Sequence, residues 1–192
     1  MVAIPNYQYM TPQEYLDWEE QQQLKYEYIN GEVVAMTGGT IPHNDIALNL
    51  ASALKNPLRG KGCKVQMADA KLGVSENGPF HYPDVMVSCD ERDKRATKVI
   101  YHPCLIVEVL SPSTEAIDRG KKFQNYRQIS TLKEYILIGA EQMIVECFRL
   151  NEKGLWELQT YNQGDEIDLM SVDFKFPIEL LYEDVILENL EK

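Results

Sequence analysis

A chain of 192 residues, 44% of them hydrophobic, has the apolar content for a substantial core and too much of it for a disordered protein. A formal charge of −11 argues against a protein that simply coats nucleic acid, and no apolar run reaches the roughly 18 residues of a membrane span. The charge is uneven: residues 1–54 hold one Lys against seven acids, residues 55–133 hold fourteen Lys/Arg against nine, and residues 134–192 hold four against fourteen.

The opening MVAIPNYQYM lacks the basic-then-apolar pattern of a secretory leader. The four cysteines (Cys63, Cys89, Cys104, Cys147) are scattered with no C-x-x-C pair, so free thiols in a reducing cytoplasm are expected and a structural zinc is not. TPQEYLDWEEQQQ carries a capping box, with Thr11 as N-cap, Pro12 first in the helix and Glu14 three residues after the cap; it predicts a helix over about 11–23. KYEYINGEVVAM predicts two short strands around an Asn30-Gly31 turn. In HNDIALNLASALKNPLRGKG, Ile46, Leu50, Ala53 and Leu54 recur at helical spacing until Pro57 and Gly60 stop them.

KVQMADAKLGV and HYPDVMV read as an antiparallel pair across the turn SENGPF, and a charged loop (CDERDKRATK) separates them from the strand LIVEVL, residues 105–110. SPST then opens a helix over about 115–129 that leads to EYILIGA. Strand, helix and strand joined by so short a crossover place LIVEVL and EYILIGA parallel in one sheet. IVECFRL, LWELQTY and DFKFPIELLYEDV add a hairpin and a closing element. The expectation is one α/β domain over residues 1–192 with a mixed central sheet; from 41 to 140 the order is helix, three strands, helix, strand.

Glu108 stands alone among the apolar residues of LIVEVL. Period-two geometry puts it on the side of Ile106 and Leu110, with Leu105, Val107 and Val109 opposite. An unpaired carboxylate buried there costs several kcal/mol or keeps its proton. In YPDVMV, Pro83 denies the ladder a donor and belongs at a strand end, with Asp84 directly after it. If the two strands pair, Asp84 and Glu108 point to one side and repel, unless a cation sits between them. Mg²⁺, or Mn²⁺ in its place, is the hard cation that resolves this.

"YPDVMV … LIVEVL" resembles the split acidic signature of the PD-(D/E)XK nuclease superfamily. The longer string from Tyr26 to Ile138, YEYINGEVVAMTGG through H, YPDV, LIVEVLSPSTEAIDRGKKFQNYR and LKEYILI, resembles the Uma2 family of restriction-endonuclease-like proteins. The resemblance implies a restriction-endonuclease-like core with an N-terminal helix and hairpin and a C-terminal hairpin added. It also implies metal-assisted hydrolysis of phosphodiester bonds, with Asp84 and Glu108 holding one or two Mg²⁺ that activate water. The superfamily lysine two residues after the second acid is here Leu110. The Uma2-like string has its lysine at Lys122, with Lys121 as its neighbour and Asp118 and Tyr126 one turn away on either side.

A surface pair between Asp118 and Lys122 is the alternative at that place. Ala116, Gly120 and Phe123 are expected to share the face packed on the sheet, Gly120 allowing close approach. Further candidates are His43 in IPHNDI, Glu27 and Glu32 beside the turn, and Asp69 in QMADAKL. The basic stretches Lys55–Lys64 and Arg92–Lys98 are candidate phosphate contacts.

Other chemistries fit less well. His81 and His102, which could be drawn with Asp84 as a zinc set, sit in different loops, TGGT at 37–40 is read only as a loop before a helix, and few aromatic residues flank the acids as a glycosidase would need. The expectation is a cytoplasmic, Mg²⁺-dependent endonuclease acting on nucleic acid, DNA first, as a homodimer. The competing expectation is a catalytically inactive nuclease-fold protein that binds nucleic acid or protein.

Overall fold

The structure, a computed structural model, describes residues 9–36 and 38–187. Residues 1–8, which carry most of the stretch read for a leader, and Thr37 of TGGT lie outside the described residues. Helix α1 (Pro12–Glu19) starts where the capping box sets it: the Thr11 hydroxyl accepts from the Glu14 amide, and Glu14 Oε2 accepts from the Thr11 amide at 2.8 Å. It is shorter than expected. Glu19 turns inward to pair with Lys71, and the glutamines after it offer nothing apolar to pack.

Strands β1 (Tyr26–Ile29) and β2 (Glu32–Ala35) form the expected hairpin, with Asn30 at φ 53° and Gly31 at φ 94°. Those positive angles are what a tight two-residue turn demands. Helix α2 (Ile41–Lys55) is capped by Thr40 and buries Ile46, Leu50 and Leu54 along one face.

The expected single hairpin of KVQMADAKLGV and HYPDVMV is divided between two sheets. The first segment gives β3 (Lys64–Met67) and β4 (Lys71–Gly73); the second gives β5 (Phe80–His81) and β6 (Val85–Ser88). β3 pairs with β6 and β4 with β5, all antiparallel, but in different sheets. Pro83 supplies no ladder donor, so the pairing breaks there and the chain crosses from one sheet to the other. β7 (Val99–Ile100), β8 (Leu105–Leu110), α3 (Glu115–Ile117), a π-helical turn (Asp118–Lys122), α4 (Phe123–Tyr126) and β9 (Glu134–Gly139) follow. β10 (Ile144–Leu150) and β11 (Trp156–Asn162) form a hairpin, as do β12 (Glu166–Leu169) and β13 (Phe174–Pro177).

The main sheet runs β11-β10-β9-β8-β6-β3, and the second β2-β1-β5-β4-β7. β8 and β9 are parallel in the register Leu105↔Glu134 to Leu110↔Gly139, as expected of the crossover. Helix α2, strands β3, β6 and β8, the α3–α4 segment and β9 give the helix, three strands, helix, strand order; β4, β5 and β7 leave that core to build the second sheet. Leu105, Val107 and Val109 pack in the cluster that holds α2, while Ile106 and Leu110 join Tyr126, Tyr135 and Leu137 on the other face. Leu110 is therefore core.

The cysteine expectation is corrected. Cys63 and Cys89 form a disulfide, while Cys104 and Cys147 are free. The register Lys64↔Ser88 sets residue 63 across from residue 89, a pairing hidden by their separation of 26 in sequence. Among the described residues no helix is long and apolar enough to cross a membrane.

Candidate active site

The break between the sheets is what places Asp84. It lies just before β6, and the pairing Val85↔Val107 sets it across from Glu108. Asp84 Oδ2 accepts from the Val109 amide at 2.7 Å and lies 3.2 Å from Nε2 of His43, in the first turn of α2. Glu108, 3% exposed, accepts at Oε1 from the Tyr126 hydroxyl at 2.7 Å and from Lys122 Nζ at 3.0 Å. Lys122 is also 3.1 Å from Asp118 Oδ1 and 3.6 Å from Glu27 Oε1. These groups open on a cavity of about 700 Å³ whose lining includes His43, Asp84, Glu108, Ser111, Asp118 and Lys122.

The charges do not balance. Burial raises the Glu108 carboxyl well above the usual range, with Asp84, Asp118 and Glu27 adding to it and Lys122 opposing. Burial would lower the Lys122 ammonium, but Glu108, Glu27 and Asp118 outweigh it and hold the lysine charged. Burial would also raise Glu27, yet Lys122 and His81 bring it down to about 2. For His43, burial pulls down and Asp84 pulls up; Asp84 prevails, and the imidazole holds its proton more firmly than usual.

Lys122 reaches the site because of the π-helical turn. One extra residue in that turn rotates Asp118 and Lys122 inward, and both are buried. The expected packing face is corrected at two of its three positions: Ala116 is exposed and a Cβ on Gly120 would meet nothing within 4 Å, while Phe123 packs against Tyr135 as expected. Asp118 and Lys122 form a buried pair, not a surface one. Tyr126 joins them through Glu108. Lys121 points to solvent.

Glu27 is in the site, whereas Glu32 is exposed at the start of β2, with no hydrogen bond or ion pair to the site. Asp69 sits on the cavity rim, its side chain exposed and paired with Lys25. The basic stretches do not converge on the site: Lys55 ends α2 while His43 begins it, and Arg92, Lys94 and Lys98 pair with Asp90, Glu91 and Glu20. Two groups were undervalued in the sequence. His81, weighed there only for a zinc set and set aside, and Asn125, not singled out at all, are buried behind Glu27 and Tyr126. Gly38, Gly39 and Thr40, read as a plain loop, line the cavity.

The donor chemistry fits a hard divalent cation. The hydrogen bonds received by Asp84 and Glu108 fall on Oδ2 and Oε1, so within the described residues Oδ1 and Oε2 receive none. Asp118 Oδ1 is buried and has the Lys122 ammonium, 3.1 Å away, as its ion-pair partner. Among the described residues no three His, Cys, Asp or Glu side chains are grouped so as to hold a metal ion of any kind, so a cation here would rest on two carboxylates. Two carboxylates with the remaining positions left to water and phosphate suit Mg²⁺.

Comparison with known proteins gives the same family as the sequence signature. The Uma2 family, described as "Putative restriction endonuclease", matches residues 12–179. The chain is 38% identical over 173 residues to "Uncharacterized protein slr1290" of Synechocystis, covering 90% of this chain and 91% of that one. It is 32% identical over 177 residues to "Uncharacterized protein sll1609" of the same organism, covering 90% and 100%. A crystal structure of a "putative nuclease belonging to DUF820" from Anabaena variabilis superposes with a TM-score of 0.76 over 92% of this chain and 99% of that one. At 16% identity that likeness speaks for the fold. With the family matched over most of its length, the chain belongs to the Uma2 family.

Proposed function

We propose that the protein is a Mg²⁺-dependent endonuclease that hydrolyses phosphodiester bonds of nucleic acid, DNA first, and works in the cytoplasm as a homodimer. One observation carries the reading: Asp84 and Glu108 come from paired strands to the wall of one cavity, with the Lys122 ammonium 3.0 Å from Glu108. Asp84 and Glu108 would hold the ion, and Mn²⁺ would substitute. When bound, the ion supplies positive charge that polarises the phosphate and makes water a better nucleophile.

The chain's own residues do the rest. Lys122 offsets negative charge that develops on the phosphate, the task of the superfamily lysine absent at Leu110. His43, whose hold on a proton Asp84 strengthens against the effect of burial, lines the cavity as the candidate proton donor to a phosphate or leaving oxygen. Tyr126 holds Glu108 in one orientation through its 2.7 Å hydrogen bond.

The alternative, a fold that binds nucleic acid or protein without catalysis, draws on the buried Leu110 and on the pairing of the outer basic residues with acids. Calorimetric titration of Mn²⁺ into wild type, Asp84→Asn and Glu108→Gln, with and without a short duplex, separates the two. Saturable binding in wild type that both substitutions abolish is the expected result. Absence of binding even with DNA present would remove the metal site and leave the binding reading.

A further inference from the structure

The three carboxylates around Lys122 are not equivalent. Glu108 faces the cavity, and Asp118 sits on the same π-helical turn as Lys122, so it moves with the lysine. Only Glu27, on β1 of the second sheet, belongs to a separate rigid element that is also held from behind. The Tyr82 amide donates to Glu27 Oε1 at 3.3 Å, and His81 Nδ1 lies 3.3 Å from Glu27 Oε2. His81 is fully buried, with Nε2 3.1 Å from the Asn125 side-chain nitrogen and its ring edge-on to Tyr126 at 5.3 Å.

Asn125 and Tyr126 lie on α4, directly after the turn that carries Lys122. The contacts therefore close a ring: Glu27 to Lys122, along the helix to Asn125, across to His81 on β5, and back to Glu27. From this ring we infer that His81 and Glu27 form a rear tether fixing the Lys122 ammonium at the cavity wall, with His81 a positioning residue that never touches substrate.

The proton on His81 follows from the geometry. A carboxylate facing a bare ring nitrogen would set lone pair against lone pair where the imidazole is fully buried. Nδ1 therefore carries hydrogen whichever way the Asn125 amide is turned. The contact is too far off line to count as a full hydrogen bond, so it acts mainly by charge and dipole. Apart from Asp118 on its own turn, Lys122 otherwise depends on Glu108, the carboxylate assigned to the cation. Once Glu108 is engaged, Glu27 is the anchored counter-charge that keeps the ammonium from swinging away. The inference rests on the active-site reading for its meaning in catalysis, but not for its geometry.

The test uses the full chain labelled with ¹⁵N in lysine side chains and histidine rings. In wild type the Lys122 ammonium should give a slowly exchanging signal, identified by its loss in Lys122→Met, and His81 should show a proton on Nδ1. In Glu27→Gln and His81→Phe, each shown to be folded by circular dichroism, the Lys122 signal should shift or broaden beyond detection. His81→Gln serves if the phenylalanine variant does not fold. An unchanged Lys122 signal in the folded variants, or a bare Nδ1, would overturn the tether.

Where wild type cleaves DNA with Mg²⁺, the His81 and Glu27 variants should lose about 10–100-fold in kcat with KM within about twofold. An unchanged kcat would equally refute the positioning role. If wild type cleaves nothing, the nuclease reading fails and the spectra alone decide the tether.

Discussion

Glu27 and Glu108 are buried near the same ammonium and are driven in opposite directions. Glu108 meets burial and three like charges, whereas Glu27 meets Lys122, His81 and the Tyr82 amide and is held at about 2. Against an unfolded value of about 4.3, the lowered Glu27 contributes stability that is present above pH ~4.3 and lost as pH falls toward 2. The size is on the order of 3 kcal/mol at neutral pH. Urea unfolding of wild type and Glu27→Gln should show a gap of that order at pH 7 that narrows below pH ~4 and closes only as pH approaches 2. A gap that stays constant with pH would mean that shape, and not charge, is what the substitution removes. Nothing in KYEYING announces this burial. Tyr26 and Tyr28 pack in an aromatic cluster, so alternation puts Glu27 on the opposite face, which reads as solvent. That face is the back of the cavity, and the second sheet that covers it is assembled from strands distant in sequence.

At the scale of elements, the sequence carried those whose signals are local. The capping box, the Asn30-Gly31 turn, the apolar face of α2 and the parallel pairing of β8 with β9 all follow from short-range pattern, as does the side of the strand on which Glu108 falls. What it did not carry is where a continuous pattern changes partner. KVQMADAKLGV and HYPDVMV each look like one strand, yet each serves two sheets, and Asp84 owes its position to that division. The π-helical turn is hidden for a similar reason. Helical periodicity assumes an unbroken 3.6-residue repeat, and one inserted residue rotates the face that counts.

The consequence is testable at Gly120. A close approach of helix and sheet would make Gly120→Ala destabilising. In the structure the added Cβ meets nothing within 4 Å, and Gly120 is not among the glycines of positive φ. Alanine there should instead raise stability by about 0.5–1 kcal/mol, through the lower entropy of the unfolded chain and its better helix propensity. Thermal or urea unfolding reads the sign directly, and a loss of stability would contradict the open environment of this turn.

For the molecule as a whole, a net charge of −11 and a cavity walled by carboxylates set the terms on which a polyanion can approach. A protein that tracks the phosphate backbone spends many Lys and Arg on it and loses affinity steeply with salt. Here several of the middle-third bases that looked available are paired with acids: Lys98 with Glu20, Arg92 with Asp90, Lys94 with Glu91, and Lys122 inside the site. On the proposed reading, the positive charge that admits a phosphate comes largely from a divalent ion that Asp84 and Glu108 would hold. Binding of a labelled duplex, followed by fluorescence anisotropy, should therefore be weak in EDTA and at least about tenfold tighter with Mg²⁺. The slope of log K against log salt should correspond to only a few phosphate contacts, shallower than about −4. Glu108→Gln should lose the gain from Mg²⁺ while keeping the weak binding in EDTA. Tight, EDTA-resistant binding with a steep salt slope would mean that a basic surface carries recognition, and the cation would then lose its place as the bridge between protein and substrate.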